Sequence, residues 1–271
     1  MKQMIIATNC PKGGVGKTTL SKELASAYAL TEIDGRQPSV CIVDANVYFG
    51  DINFMLKLAP SKGMEYWADR IIAEGYDKVE HIYPYDVVDD YLIKHGMGLY
   101  VLSAPNSPEG AAKISYGVMQ TMIKSLKQYF DIIILDTGNN TDDCTVACFE
   151  QANTILIVIT DESTSINCAS SLFKMFPKIG ISMDKVEIIL NKYATEKANR
   201  YFSIEEVEEV MGSVYTTIAY SEDMPNVNSS GIPAVMSNDN RVAPFKKDVI
   251  KLAKKLVPEF SEKALKKANM F

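Results

Sequence analysis

The chain is poor in metal-binding and cross-linking chemistry. Of its 271 residues two are histidine, one is tryptophan and five are cysteine. The cysteines (Cys10, Cys41, Cys144, Cys148 and Cys168) are odd in number, sit mostly in apolar surroundings and include no C-x-x-C pair, as expected of reduced thiols. With His81 and His95 as the only histidines, a zinc site is not expected. No apolar run approaches the ~20 residues that span a bilayer; the longest are stretches such as Thr154 to Thr160. The N-terminus offers Lys2 and then only Met4 to Ala7 before polar Thr8 and Asn9, far short of a signal-peptide core, so the expected location is the cytoplasm. Positive charge is in deficit too. Twenty-eight basic residues against 34 acidic ones leave −6, which excludes a protein whose whole surface coats nucleic acid.

Apolar material is plentiful at 47%, enough to bury a large core and to exclude disorder, and one domain over residues 1–271 is expected. Short β-branched runs (Gln3 to Thr8, Val40 to Asp44, Gly98 to Leu102, Asp131 to Asp136, Thr154 to Thr160, Lys185 to Asn191, Tyr215 to Ala219) alternate with longer helical patterns. That alternation predicts an α/β fold: a mostly parallel, twisted central sheet with helices on both faces. The runs Ile132 to Leu135 and Ile155 to Ile159 are apolar without alternation, which suits central strands covered on both sides. Pro108 to Tyr129 reads as one long helix, with Ser107 able to cap it and Pro108 suited to its first turn. Cys144 and Cys148 read as buried helix residues facing one way. The last 31 residues carry Arg241 and eight lysines against three acids, a local balance of +6. Within them Phe245, Val249, Leu252 and Leu256 share one helical face, with Lys247, Lys251 and Lys254 opposite.

The strongest motif follows the first strand. Residues 10–19 read CPKGGVGKTT between a strand and a helix pattern, matching G-x-x-x-x-G-K-[ST] with Cys10 or Pro11 in place of the leading glycine. Gly13, Gly14, Val15 and Gly16 would turn backbone N–H groups onto a phosphate, assisted by the positive end of the helix that follows. Lys17 is expected to neutralise the β- and γ-phosphates of ATP, Thr18 to ligate Mg²⁺ through its hydroxyl, and Thr19 to reach the α-phosphate.

A second lysine, Lys12, stands early in the loop, and KGGVGKT resembles the deviant Walker A motif of the ParA/MinD family. The resemblance implies a homodimer with ATP sandwiched at the interface, each Lys12 reaching the partner's phosphates as an arginine finger does elsewhere. FDIIILDTG resembles the family's Walker B strand and switch II, which places Asp136 beside the Mg²⁺ through water and Gly138 near the γ-phosphate. ILNK matches the position of an adenine-binding asparagine, Asn191. AYSEDMPNVNSSGIPAV resembles the segment flanking the base, with Ile218 and Ala219 where a proline is usual. One departure concerns catalysis. Where the family commonly reads D-x-D, with the second aspartate orienting the attacking water, this chain has Asp44, Ala45 and Asn46. Asp44 is expected near the metal's water shell. Asn46 carries no charge and accepts no proton at neutral pH, so a slow ATPase is expected; Asp51, five residues on, substitutes if switch I is rearranged and otherwise only caps or pairs structurally.

Within the family, FGDINFMLKLAPSKGMEYW and the stretch from GLYVLSAPNSPEG to DIIILDTG resemble most closely the TadZ/CpaE group, which localises Tad (type IVb) pilus machinery. That implies protein partners in a pilus or secretion machine. It also implies a place in the cytoplasm, peripheral at the inner membrane face or at a cell pole. Members of that group often carry an N-terminal receiver-like domain, and none is expected here. Two alternatives stay open: a DNA-partition ATPase gripping nonspecific DNA through Lys246, Lys247, Lys251, Lys254 and Lys255, and a MinD-like membrane-associated ATPase using an amphipathic segment from Phe260 to Phe271. An Fe–S role is not expected, because three residues separate Cys144 from Cys148.

Overall fold

The computed structural model describes residues 2–59, 62–194 and 196–261. Its strands are β1 (Met4–Asn9), β2 (Glu32–Ile33), β3 (Val40–Ala45), β4 (Ile93–Lys94), β5 (Leu99–Leu102), β6 (Ile132–Thr137), β7 (Thr154–Ile159), β8 (Val186–Tyr193), β9 (Val214–Ala219) and β10 (Phe260–Ser261). Its α-helices are α1 (Lys17–Ala29), α2 (Ile52–Met55), α3 (Met64–Ala73), α4 (Tyr85–Asp89), α5 (Pro108–Ala112), α6 (Tyr116–Leu126), α7 (Asp143–Gln151), α8 (Ser163–Met175), α9 (Ile204–Met211), α10 (Met224–Ser230) and α11 (Ala243–Leu256). Eight strands form one sheet in the order β4-β5-β3-β6-β1-β7-β8-β9. Every pairing in it is parallel except the two-residue edge contact of β4 with β5. Ile132 to Leu135 and Ile155 to Ile159 are wholly buried, as unalternating apolar strands between two helical layers must be.

The long helix expected over Pro108 to Tyr129 is two helices, α5 and α6. Ser107 and Ser115 each accept a hydrogen bond from a backbone N–H three residues on, Gly110 at 2.9 Å and Val118 at 3.3 Å. Capping by Ser115 restarts the helix after Ile114 has turned into the core, so apolar spacing continues across the break. In α6, Gly117 lets the helix press against a neighbouring loop: a Cβ there would lie 1.7 Å from the Asp77 carbonyl oxygen.

Helix α11 packs on α1 with Phe245, Val249, Leu252 and Leu256 buried and Lys247, Lys251 and Lys254 exposed, as its pattern predicts. The proposed lipid-facing segment is corrected at its first residue. Phe260 belongs to β10, is buried, and meets the Tyr28 ring edge-on at 5.9 Å. The rest of that segment, 262–271, lies outside the described residues. Among the described residues no helix is long and apolar enough to cross a membrane. Cys144 and Cys148 are buried in α7; burial pushes the Cys144 thiol up to about 12.

Candidate functional site

The carboxyl ends of β1, β3, β6, β8 and β9 converge around one cavity of about 600 Å³, where an open parallel α/β sheet is expected to hold its ligand. Residues 10–16 leave β1 and pass directly into α1. Gly14 and Gly16 have φ of 77° and 95°, a region hostile to other residues. Gly16 is doubly constrained, because a Cβ there would sit 2.4 Å from Asn191 Nδ2. It stands at the N-terminus of α1, where no side chain caps the helix, so the first-turn N–H groups remain available to an anion. Lys17 is nearly buried; its Nζ donates to Asn139 Oδ1 at 2.5 Å and to the Lys12 carbonyl at 3.4 Å. Burial lowers its pKa, against the pull of Asp136. A phosphate supplies the charge such a lysine lacks.

Beneath the loop, Asp44 of β3 and Asp136 of β6 are register partners. Asp136 Oδ1 accepts from Ser21 Oγ at 2.7 Å and Thr8 Oγ1 at 3.2 Å, and Asp44 Oδ2 accepts from the Ile52 N–H at 3.0 Å. The remaining oxygens, Asp44 Oδ1 and Asp136 Oδ2, are buried without a hydrogen-bond partner among the described residues. Burial raises both carboxyl pKa values, and for Asp44 the neighbouring Asp136 adds to it. Two adjacent buried carboxylates, each with one spare oxygen, fit a divalent cation. No cluster of three or more acidic, histidine or cysteine ligands occurs among the described residues. Mg²⁺ needs none when water, a hydroxyl and phosphate complete its shell.

The β3–α2 loop forms one wall. Asn46 Nδ2 donates to the Phe49 carbonyl at 2.6 Å, and Asn46 Oδ1 lies 2.9 Å from where a Cβ on Gly138 would be, so the amide packs closely on the Gly138 backbone. Gly138 is itself held by Asn9, whose Nδ2 donates to its carbonyl at 3.0 Å. Lys12 folds back on its own chain: its Nζ pairs with Glu162, beside the start of α8, and donates to Thr164 Oγ1 at 2.8 Å.

On the opposite wall, Asn191 is buried at the carboxyl end of β8 and donates from Nδ2 to the Val15 carbonyl at 2.7 Å. Thus the residue expected to read the base also holds the phosphate loop. The motif reading missed three neighbours. Lys192, in a left-handed conformation with φ of 55°, donates from Nζ to the Gly14 carbonyl at 2.6 Å. Asn139 holds Lys17, and Asn228 of α10 donates from Nδ2 to Thr19 Oγ1 at 3.0 Å while accepting from Lys22 Nζ at 2.9 Å. Lys192 and Asn139 directly follow Asn191 and Gly138, which was the available signal. Asn228 lies in the flanking segment AYSEDMPNVNSSGIPAV, which also brings Ala219, Tyr220, Ser221, Met224 and Pro225 to the cavity.

Comparison with known proteins follows the same lines. A family model described as ParA, NUBPL iron-transfer P-loop NTPase, matches residues 1–257. The septum site-determining protein MinD of Thermotoga maritima is 26% identical over 246 residues, covering 88% of this chain and 83% of its own. Among solved structures, a ParA family ATPase from Chlorobium tepidum superposes with a TM-score of 0.80 at 21% identity, over 93% of this chain and 98% of its own. MinD of Pyrococcus horikoshii complexed with Mg-ADP gives 0.75 at 20% identity, over 94% and 96%.

Proposed function

The chain belongs to the ParA family of P-loop NTPases, and from that premise we propose that it is a slow ATPase that dimerises around ATP and Mg²⁺ and positions a macromolecular assembly. The observation that carries the nucleotide chemistry is the pairing of Asp44 and Asp136, each with a spare buried oxygen, beneath Lys17 and the uncapped start of α1. Lys17 and the loop N–H groups bind and orient the phosphates, Thr18 faces the cavity at the metal corner, and Asn191 holds the base and the loop together. The metal, when bound, screens charge between the β- and γ-phosphates. Lys12 leaves Glu162 on dimerisation and reaches the partner's nucleotide.

The cargo we assign is the Tad pilus machinery, supported by the likeness of residues 49–67 and 98–138 to the TadZ/CpaE pattern. The protein then works in the cytoplasm or at the inner membrane face. A second reading, nonspecific DNA binding as in partition, is favoured by one observation: Lys247, Lys251 and Lys254 face solvent along α11 beside an open groove. Duplex DNA titrated at near-physiological salt with ATP or ADP separates the two, with Lys17→Ala as the variant that loses ATP binding. Binding that requires ATP and weakens steeply with salt installs the partition reading. Absence of DNA binding in a protein that still dimerises with ATP keeps the pilus reading.

A further inference from the structure

Asn46 stands where a water-orienting carboxylate is usual, and its side chain is already engaged. The amide nitrogen bonds the Phe49 carbonyl and the amide oxygen lies against Gly138. Neither end accepts a proton at neutral pH. The same loop carries an acid. Among the described residues lining the cavity, Asp51 is the one acidic side chain, and it shares that lining with Lys17, Thr18 and Asn46.

The backbone on either side of Asp51 is fixed. Gly50 lies so close beneath that a Cβ would come 2.5 Å from Asp44 Oδ2 and 2.3 Å from the Ala104 Cβ, and the Ile52 N–H donates to the same Asp44 oxygen at 3.0 Å. Ile52 is wholly buried. Asp51 itself is exposed at the N-terminal boundary of α2, yet its carboxylate makes no capping bond, and among the described residues it has no hydrogen-bond or ion-pair partner. An acid at that position ordinarily caps its helix. Here a pinned backbone presents an unused carboxylate to the cavity.

We propose that Asp51 is the catalytic residue that holds and deprotonates the attacking water, in place of the carboxylate missing at position 46. This rests on the ATPase reading above. In the step, the water oxygen bonds the γ-phosphorus while the bond from that phosphorus to the β,γ-bridging oxygen breaks, leaving ADP. The water's proton passes to the Asp51 carboxylate and from there to the released phosphate. Asp44 and Asp136, buried and committed to the metal corner, cannot reach outward to do this.

The test measures phosphate release together with Mg-ATP affinity from a fluorescent ATP analogue, on the full chain. Asp51→Asn keeps the shape and removes the base. The expected result is a loss of turnover on the order of 100-fold with affinity within about twofold of the parent. Adding Asn46→Asp to that variant should recover turnover, which a merely structural role for Asp51 would not permit. Parental turnover in Asp51→Asn overturns the proposal. So does a loss of Mg-ATP affinity in that variant, which would make Asp51 part of the metal's shell, or failure of Asn46→Asp to recover activity. A parent chain that binds ATP but releases no more phosphate than Lys17→Ala overturns it while leaving nucleotide binding intact. A parent that binds no ATP removes both readings.

Discussion

Gly16 shows how much one residue can carry. Its φ of 95° and the 2.4 Å between its missing Cβ and Asn191 Nδ2 are independent obstacles to any side chain. Gly16→Ala is expected to lose ATP binding and to lower stability by more than ~1 kcal/mol, read by calorimetric titration and thermal melting. Asp131 offers a pH test. Two hydrogen bonds from Arg36, both 2.7 Å, and one from the Ser39 N–H hold its carboxyl down to about 2 from the usual 3.8. A depressed acid contributes stability above its unfolded pKa and loses it as pH falls through the folded one. Asp131→Asn should therefore melt lower than the parent at neutral pH, with the gap narrowing between about pH 4 and pH 2. Short motifs made the places of Lys17, Asp136 and Asn191 legible in the sequence, at or beneath the cavity, whereas Lys12 pairs with Glu162 and is not among the lining residues. Asn228 was not legible: its partners Thr19 and Lys22 lie on a helix some 200 residues earlier, and only folding joins them.

Among the elements, the strands read most clearly. The seven β-branched runs correspond to β1, β3, β5, β6, β7, β8 and β9 within a residue or two; the central ones, β3, β6 and β7, read most sharply because strands buried on both faces have few alternatives to apolar sequence. The two-residue strands β2, β4 and β10 are too short to impose a period, and tertiary pairing alone defines them. The break between α5 and α6 escaped because apolar spacing bridges it; the signal was Ser115, a capping residue inside an apparently continuous helix. Ser115→Ala should cost about 1 kcal/mol of stability, seen as a lower melting temperature, without altering ATP affinity, since Ser115 is not among the cavity-lining residues.

For the whole molecule, nucleotide and stability are linked. A ligand that binds only the folded chain adds about 2.7 kcal/mol at a hundredfold excess over its Kd. ATP with Mg²⁺ should raise the melting temperature, a chelator should remove most of the gain, and Lys17→Ala should show none of it. Fold class and phosphate loop were open to motif reading because each follows from contiguous sequence. The cargo proposal rests on a looser likeness of pattern over residues 49–67 and 98–138, because the surface chemistry that selects a cargo is not constrained by the family's shared core.

The pairing of β10 with β2 sets clearance. Phe260 and Ser261 lie against Ile33 and Glu32, just past the far end of α1. The 13 residues of that helix, at 1.5 Å each, put about 20 Å between the phosphate loop and the ribbon. Ser261, the last of the described residues, thus lies at the end of the domain remote from the phosphate loop. A small label fixed on Ser261 itself would therefore stand clear of the mouth of the cavity.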